Sequence, residues 1–160
     1  MKLRLRHWQA EALQKAQKWF LEEGHRNFLL NTAPASGKTL AACAITKMMF
    51  DKKKINRVIV IAPRAEVVNQ WSEDFRRVTG RFMGKVTGRD GDIGSLEMDV
   101  CATWAAVQGL QPELQAVCRT SDTLVICDEH HHAAVQAAWG TATDSAFADA
   151  KFCLILTGTP

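Results

Sequence analysis

Apolar residues recur along this chain with two periods, and the periods alternate. From Leu5 to Phe20 they fall at Leu5, Trp8, Ala12, Leu13, Ala16, Trp19 and Phe20, the spacing of an amphipathic helix with one buried face. Gly24 is placed to end that helix. Phe28-Leu29-Leu30 reads as a short strand, and a helix follows from Leu40 to about Phe50. Val58-Ile59-Val60-Ile61-Ala62 is a β-branched run without alternation, which predicts a strand covered on both faces, and Pro63 stops it. Val67, Val68, Trp71, Phe75 and Val78 then line one side of a further helix. Arg81 to Leu96 is glycine-rich and reads as a short strand and an exposed loop. Asp99 to Thr103 and Thr123 to Cys127 predict two more strands, an alanine-rich helix covers Ala134 to Phe147, and Phe152 to Leu156 predicts the last strand.

Buried strands separated by helices imply an α/β fold, a mostly parallel β-sheet with helices on both faces. In such a sheet ligands bind at the carboxyl ends of the strands. Every polar cluster of interest lies just after a predicted strand, so the chemistry is expected on one edge.

Composition narrows the class. A chain of 160 residues fits one domain, large enough to bury roughly 70% of its unfolded surface. No apolar run approaches the roughly 18–20 residues that span a bilayer, and the charged start, Met1 to His7, has no signal-peptide stretch behind it. A cytoplasmic protein without membrane contact is expected. The five cysteines form no CxxC pair, and their odd number argues against a disulfide framework. A net charge of +3 permits a polyanionic partner without demanding one. Lys52 to Lys54 and Arg76-Arg77 read as solvated faces.

Two clusters carry chemistry. Ser36-Gly37-Lys38-Thr39 stands between a strand and a helix, the context of a phosphate-binding loop. Unpaired N–H groups at the helix start can hold a β- or γ-phosphate. Gly37 lets the backbone approach the anion, Lys38 brings positive charge to it, and the Thr39 hydroxyl suits Mg²⁺. Thr32 stands where the first glycine of the full loop pattern would be, and Ala35 replaces another common glycine. The second cluster is Leu124-Val125-Ile126-Cys127-Asp128-Glu129, an aliphatic strand ending in two carboxylates. Asp128 is the candidate to hold Mg²⁺ through water, and Glu129 to orient and deprotonate an attacking water. His130-His131-His132 is not read as a metal site, because three adjacent side chains cannot converge on one ion from a regular element.

With both clusters in place, the chain resembles the first RecA-like domain of superfamily 2 helicases of the DExH kind. Leu5-Arg6-His7-Trp8-Gln9 resembles the segment whose glutamine reads adenine, which implies that role for Gln9. Ala33 to Thr39 resembles motif I, placing Pro34, Ala35, Ser36, Gly37, Lys38 and Thr39 around ATP. Ala62-Pro63-Arg64 through Gln70-Trp71 resembles motif Ia, and Thr103-Trp104 a later motif that also meets phosphates. The resemblance therefore offers Arg64, Thr103 and Trp104 to a nucleic-acid backbone. Asp128-Glu129-His130-His131 resembles motif II, with Glu129 and Lys38 catalytic and His131 coupling the ATP site to the rest of the machine. Leu156-Thr157-Gly158-Thr159-Pro160 resembles motif III, where Thr157, Gly158 and Thr159 link hydrolysis to the nucleic-acid side.

The resemblance implies ATP and Mg²⁺ as cofactors and DNA or RNA as partner. It also implies a second RecA-like domain, in cis or in trans, to supply arginines to the reacting phosphates; residues 1–160 are read as the first such domain alone. Weak turnover and no processive unwinding are expected without that second half. The alternative from another class is a stand-alone, non-catalytic nucleotide- or nucleic-acid-binding module. A small-molecule kinase would leave the matches to motifs Ia and III without a purpose.

Overall fold

Strands and helices follow the alternating periods closely. The computed structural model describes residues 4–32, 37–87, 98–128 and 147–158. Helix α1 (His7–Gln17) opens the fold and continues into a π-helical turn, Lys18–Glu22. Strand β1 (Asn27–Thr32) leads to α2 (Lys38–Asp51), β2 (Arg57–Ala62) to α3 (Ala65–Thr79), and β3 (Met83–Val86) to β4 (Asp99–Thr103). Helices α4 (Trp104–Gly109) and α5 (Gln111–Thr120) precede β5 (Thr123–Asp128), and β6 (Phe152–Gly158) is the last strand described.

The first helix begins two residues later than its apolar pattern suggests. Arg6 is extended, and its N–H donates to Oε1 of Gln9 at 2.8 Å, so the Gln9 side chain folds back over the helix start. Gly24, at φ +72°, lies two residues beyond the π-helical turn, in the left-handed conformation expected at a helix end. The alanine-rich helix over residues 134–147 and the loop at residues 88–97 lie outside the described residues, apart from Phe147, which is buried.

Six strands form one sheet in the order β1-β6-β5-β2-β4-β3, and every pairing is parallel. Parallel strands need crossovers, and the described helices pack on both faces of the sheet. The non-alternating run of β2 is accounted for residue by residue. Val58, Val60 and Ala62 point into one core with α1, α2 and α3. Ile59 and Ile61 point into the other, with Ala106, Val107, Leu114 and Cys118 of α4 and α5. Helix α2 lies between α1 and α3, and Ala41 to Thr46 are all buried, so small side chains let its neighbours approach on several sides. No helix among the described residues is long and apolar enough to cross a membrane.

The carboxyl ends of the strands come together by register. Ala62 pairs with Thr103, Asp128 with Leu156, and Thr32 with Gly158. That edge is where every polar cluster of the sequence was expected.

Candidate functional site

Gly37 opens the site. It takes φ +89°, a left-handed conformation that L side chains avoid, and immediately precedes α2. A Cβ there would stand 2.6 Å from Nε2 of Gln9. Gln9 is itself buried, and its Nε2 donates to the Gly37 carbonyl at 2.9 Å. The glutamine expected to read a base thus joins the start of α1 to the turn before α2. Its amide retains one N–H and one lone pair beyond the bonds to Arg6 and Gly37. No side chain of the described residues caps α2, which leaves its first N–H groups facing the cleft at the positive end of the helix dipole.

Asp128 ends β5. It lies two residues beyond Ile126 and four beyond Leu124, both in the core beneath α2 and α3, so strand periodicity turns its carboxylate toward those helices. There Lys38 Nζ meets Oδ1 at 2.9 Å, and the indole N–H of Trp71 on α3 donates to Oδ2 at 3.0 Å. The carboxylate is 3% exposed, so both donors are needed to offset its removal from water.

A cleft of about 560 Å³ joins these groups, with Gly37, Lys38, Thr39, Arg64 and Asp128 on its walls. Gln70, Asp74 and Arg77 extend it along α3, and Arg6 lines it from the start of α1. Asp74 and Arg77 pair at 2.8 Å, yet burial holds the Asp74 carboxyl above its ordinary range against the pull of that arginine. None of the four was anticipated as a site residue; for the three on α3, helical periodicity reports the buried face and not the face turned to a cleft.

Thr103 and Trp104 stand further along the same edge. The Thr103 hydroxyl oxygen accepts from the Ala106 N–H and caps α4, which leaves its own O–H to donate. Trp104 is partly buried against the second core, so part of its ring surface serves packing. Thr157 and Gly158 end β6 beside Asn31 and Thr32. Pro34, Ala35, Ser36, Glu129, His131 and Thr159 lie outside the described residues.

The donors present suit a nucleotide with its metal. A buried carboxylate, a lysine and a threonine hydroxyl meet at a helix start whose N–H groups are uncapped by the described side chains. Among the described residues no three His, Cys, Asp or Glu side chains could cage an ion. One carboxylate beside a phosphate position is how Mg²⁺ is commonly held, with phosphates and waters completing the shell. The cysteines take no part: all five are buried, and burial pushes the Cys43 and Cys101 thiols upward and Cys118 up to about 11.

A parallel sheet in this strand order, with its polar groups gathered on one edge, is a RecA-like α/β fold. The chain belongs to the family described as "Type III restriction enzyme, res subunit", whose model matches residues 2–160. An uncharacterized protein of Mycobacterium leprae (strain TN) is 34% identical over 158 residues, covering 98% of this chain and 26% of the relative. The chain therefore spans about a quarter of the length of the curated relatives it matches. The SWI2/SNF2 ATPase core domain of Sulfolobus solfataricus superposes with a TM-score of 0.74 at 19% identity, over 100% of this chain and 32% of that one. A nuclease-deletion mutant of the Type ISP restriction-modification enzyme LlaGI, solved with a DNA substrate mimic, gives 0.68 at 17% identity, over 99% and 18%. At these identities the structural likeness is one of fold.

Proposed function

We propose that this chain is the ATP-binding half of an engine that couples Mg-ATP hydrolysis to movement along DNA or RNA. The observation that carries the reading is the meeting of Lys38 and Asp128 at 2.9 Å across one cleft that Gly37 and Thr39 also line. A lysine at a helix start and a carboxylate at the neighbouring strand end are the two halves of a phosphate-and-metal site. A DNA-bound relative in fold and a restriction-enzyme family support the nucleic-acid partner.

In this reading Lys38 leaves Asp128 for the β- and γ-phosphates, and the first N–H groups of α2 hold the same oxygens. The Thr39 hydroxyl and the freed Asp128 carboxylate then hold Mg²⁺, the latter through water. Bound there, Mg²⁺ neutralises the charge that develops on the phosphates. Glu129 orients and deprotonates the attacking water, and His131 with Thr157, Gly158 and Thr159 passes the change to the nucleic-acid side. Pro34, Ala35 and Ser36 complete the turn around the phosphates, and Gln9 presents its remaining amide hydrogen and lone pair to the base. Arg64 and Thr103 hold backbone phosphates without reading sequence, and the exposed part of Trp104 stacks on a base. A second RecA-like domain supplies the arginines whose contribution reaches about 10³–10⁵ in rate, so this half alone turns over slowly.

The test is binding and steady-state hydrolysis of ATP with Mg²⁺, with and without single-stranded DNA and RNA. Wild type should bind and hydrolyse slowly, Lys38→Ala should lose binding, and Glu129→Gln should bind without turnover. A wild-type chain that binds no nucleotide would sink the reading in favour of a module without catalysis.

A further inference from the structure

We infer that Trp71 is a positioning residue for the metal site: its indole N–H fixes the plane of the Asp128 carboxylate so that one oxygen stays turned to the cleft. The inference rests on the function proposed above and deepens it.

The two donors to Asp128 differ in kind. Lys38 carries its charge on a flexible four-carbon stem, and its side chain is 22% exposed on the cleft wall. It is the cation that a bound triphosphate would draw away. Trp71 is wholly buried, in the same core cluster as Val68 and Phe75 of its own helix and Cys101 and Ile126 of the sheet. An indole has one donor and no acceptor, so it cannot ligate a cation through nitrogen, and its burial keeps it from turning to a phosphate in the cleft. Its hydrogen bond to Oδ2 is therefore the one that persists when Lys38 leaves, and Oδ1 is the oxygen released toward the metal. Without it, the carboxylate would be free to rotate about its last bond, and an oxygen would face apolar surroundings unpaired.

Outer partners that orient a metal's ligands typically change its affinity by about tenfold to a hundredfold when removed; Asp128, acting through water, is such a partner, and Trp71 orients it in turn. Trp71→Phe keeps an aromatic ring in the core and deletes the N–H. Replacement of residue 71 alone by 3-benzothienylalanine keeps the whole ring shape, with sulfur in place of N–H, and covers the case in which Trp71→Phe fails to fold.

The readout is binding of a fluorescent ATP analogue as Mg²⁺ is titrated, and again in EDTA. Electron paramagnetic resonance of Mn²⁺ with a non-hydrolysable analogue reports the metal directly. The expected result is a severalfold rise, up to about tenfold, in the Mg²⁺ needed for half-maximal binding, with EDTA binding unchanged and a broadened Mn²⁺ signal. Val68→Ala, a core truncation on the same helix, should lower stability and leave the Mg²⁺ requirement alone. If position-71 variants need no more Mg²⁺ than wild type, or lose binding equally in EDTA, Trp71 is packing and the inference falls while the ATPase reading stands. If wild type itself shows no Mg²⁺-dependent binding, both fall together.

Discussion

Gly37 shows how much a single position can carry. Its left-handed backbone and the close approach of Gln9 both exclude a side chain. An alanine there would bear a left-handed strain of about 1–2 kcal/mol and would push Gln9 off the carbonyl it holds. Gly37→Ala should therefore lower the urea midpoint and weaken nucleotide binding together. Adding Gln9→Ala should relieve the steric part and leave the backbone strain; full recovery in the double variant would show the left-handed conformation to be dispensable. The place of Gly37 at the turn before α2 was legible in the sequence, because strand, glycine, lysine and helix follow one another within a few residues. The bond from Trp71 to Asp128 was not, since it joins residues 57 apart. Sequence spacing marked Trp71 as buried and Asp128 as a strand end, but only the packing of α3 on β5 turns one N–H onto one oxygen. A buried indole usually finds an acceptor and a buried carboxylate needs donors, so the signal was a matching pair of unmet needs.

At the scale of elements, strands were easier to read than helices. The run Asp99 to Thr103 is bounded as its pattern predicts, because its buried Val-Cys-Ala centre is closed by polar residues at both ends, the second of which caps α4. Helices α4 and α5 passed unread. The first is six residues long, too short to display a period, and the second shows only Leu114 and Cys118 as buried residues. The π-helical turn likewise leaves no mark on apolar spacing. One junction between elements invites a direct test. Asp99 is 2% exposed, accepts from the Val58 N–H at 2.9 Å, and meets Arg81 at 2.7 Å. The Arg81 guanidinium in turn lies over the Phe50 ring at 4.1 Å, so β2, β4, α2 and the segment after α3 converge on one carboxylate. Asp99→Ala leaves a buried N–H unpaired and should cost about 1–3 kcal/mol in chemical unfolding. Arg81→Ala should cost less, because that side chain is 44% exposed and water can replace it. Equal losses would mean that the ion pair, and not the strand N–H, is what matters.

Across the whole molecule, stabilising and reactive groups occupy opposite edges of the sheet. Asp99 ties the amino ends of its strands together, while Lys38, Arg64 and Asp128 meet at the carboxyl edge. Four cationic side chains, Arg6, Lys38, Arg64 and Arg77, line the cleft against the carboxylates of Asp74 and Asp128, an arrangement that favours a polyanion. If Arg64 holds a phosphate of a single strand, Arg64→Ala should reduce the slope of log affinity against log salt by about 0.7. Titrations of single-stranded DNA at several salt concentrations measure it, and an unchanged slope would remove Arg64 from the interface. The parallel α/β architecture was legible throughout, because alternating periods admit few other arrangements. The strand order was not, since it depends on which crossover passes over which neighbour.

That order bears on how the chain is made. Strand β1 pairs with β6 alone among the described strands, Phe28 opposite Leu154. Within these residues a ribosome releases β1 before β6, so the sheet partner of β1 emerges only after everything between them. Until then Phe28 and Leu30 have no strand to lie beside, and the early segment is a target for holding chaperones. The strand that leads into the candidate site is thus the last to be seated: the sheet closes and the cleft at its carboxyl edge is completed in the same late step.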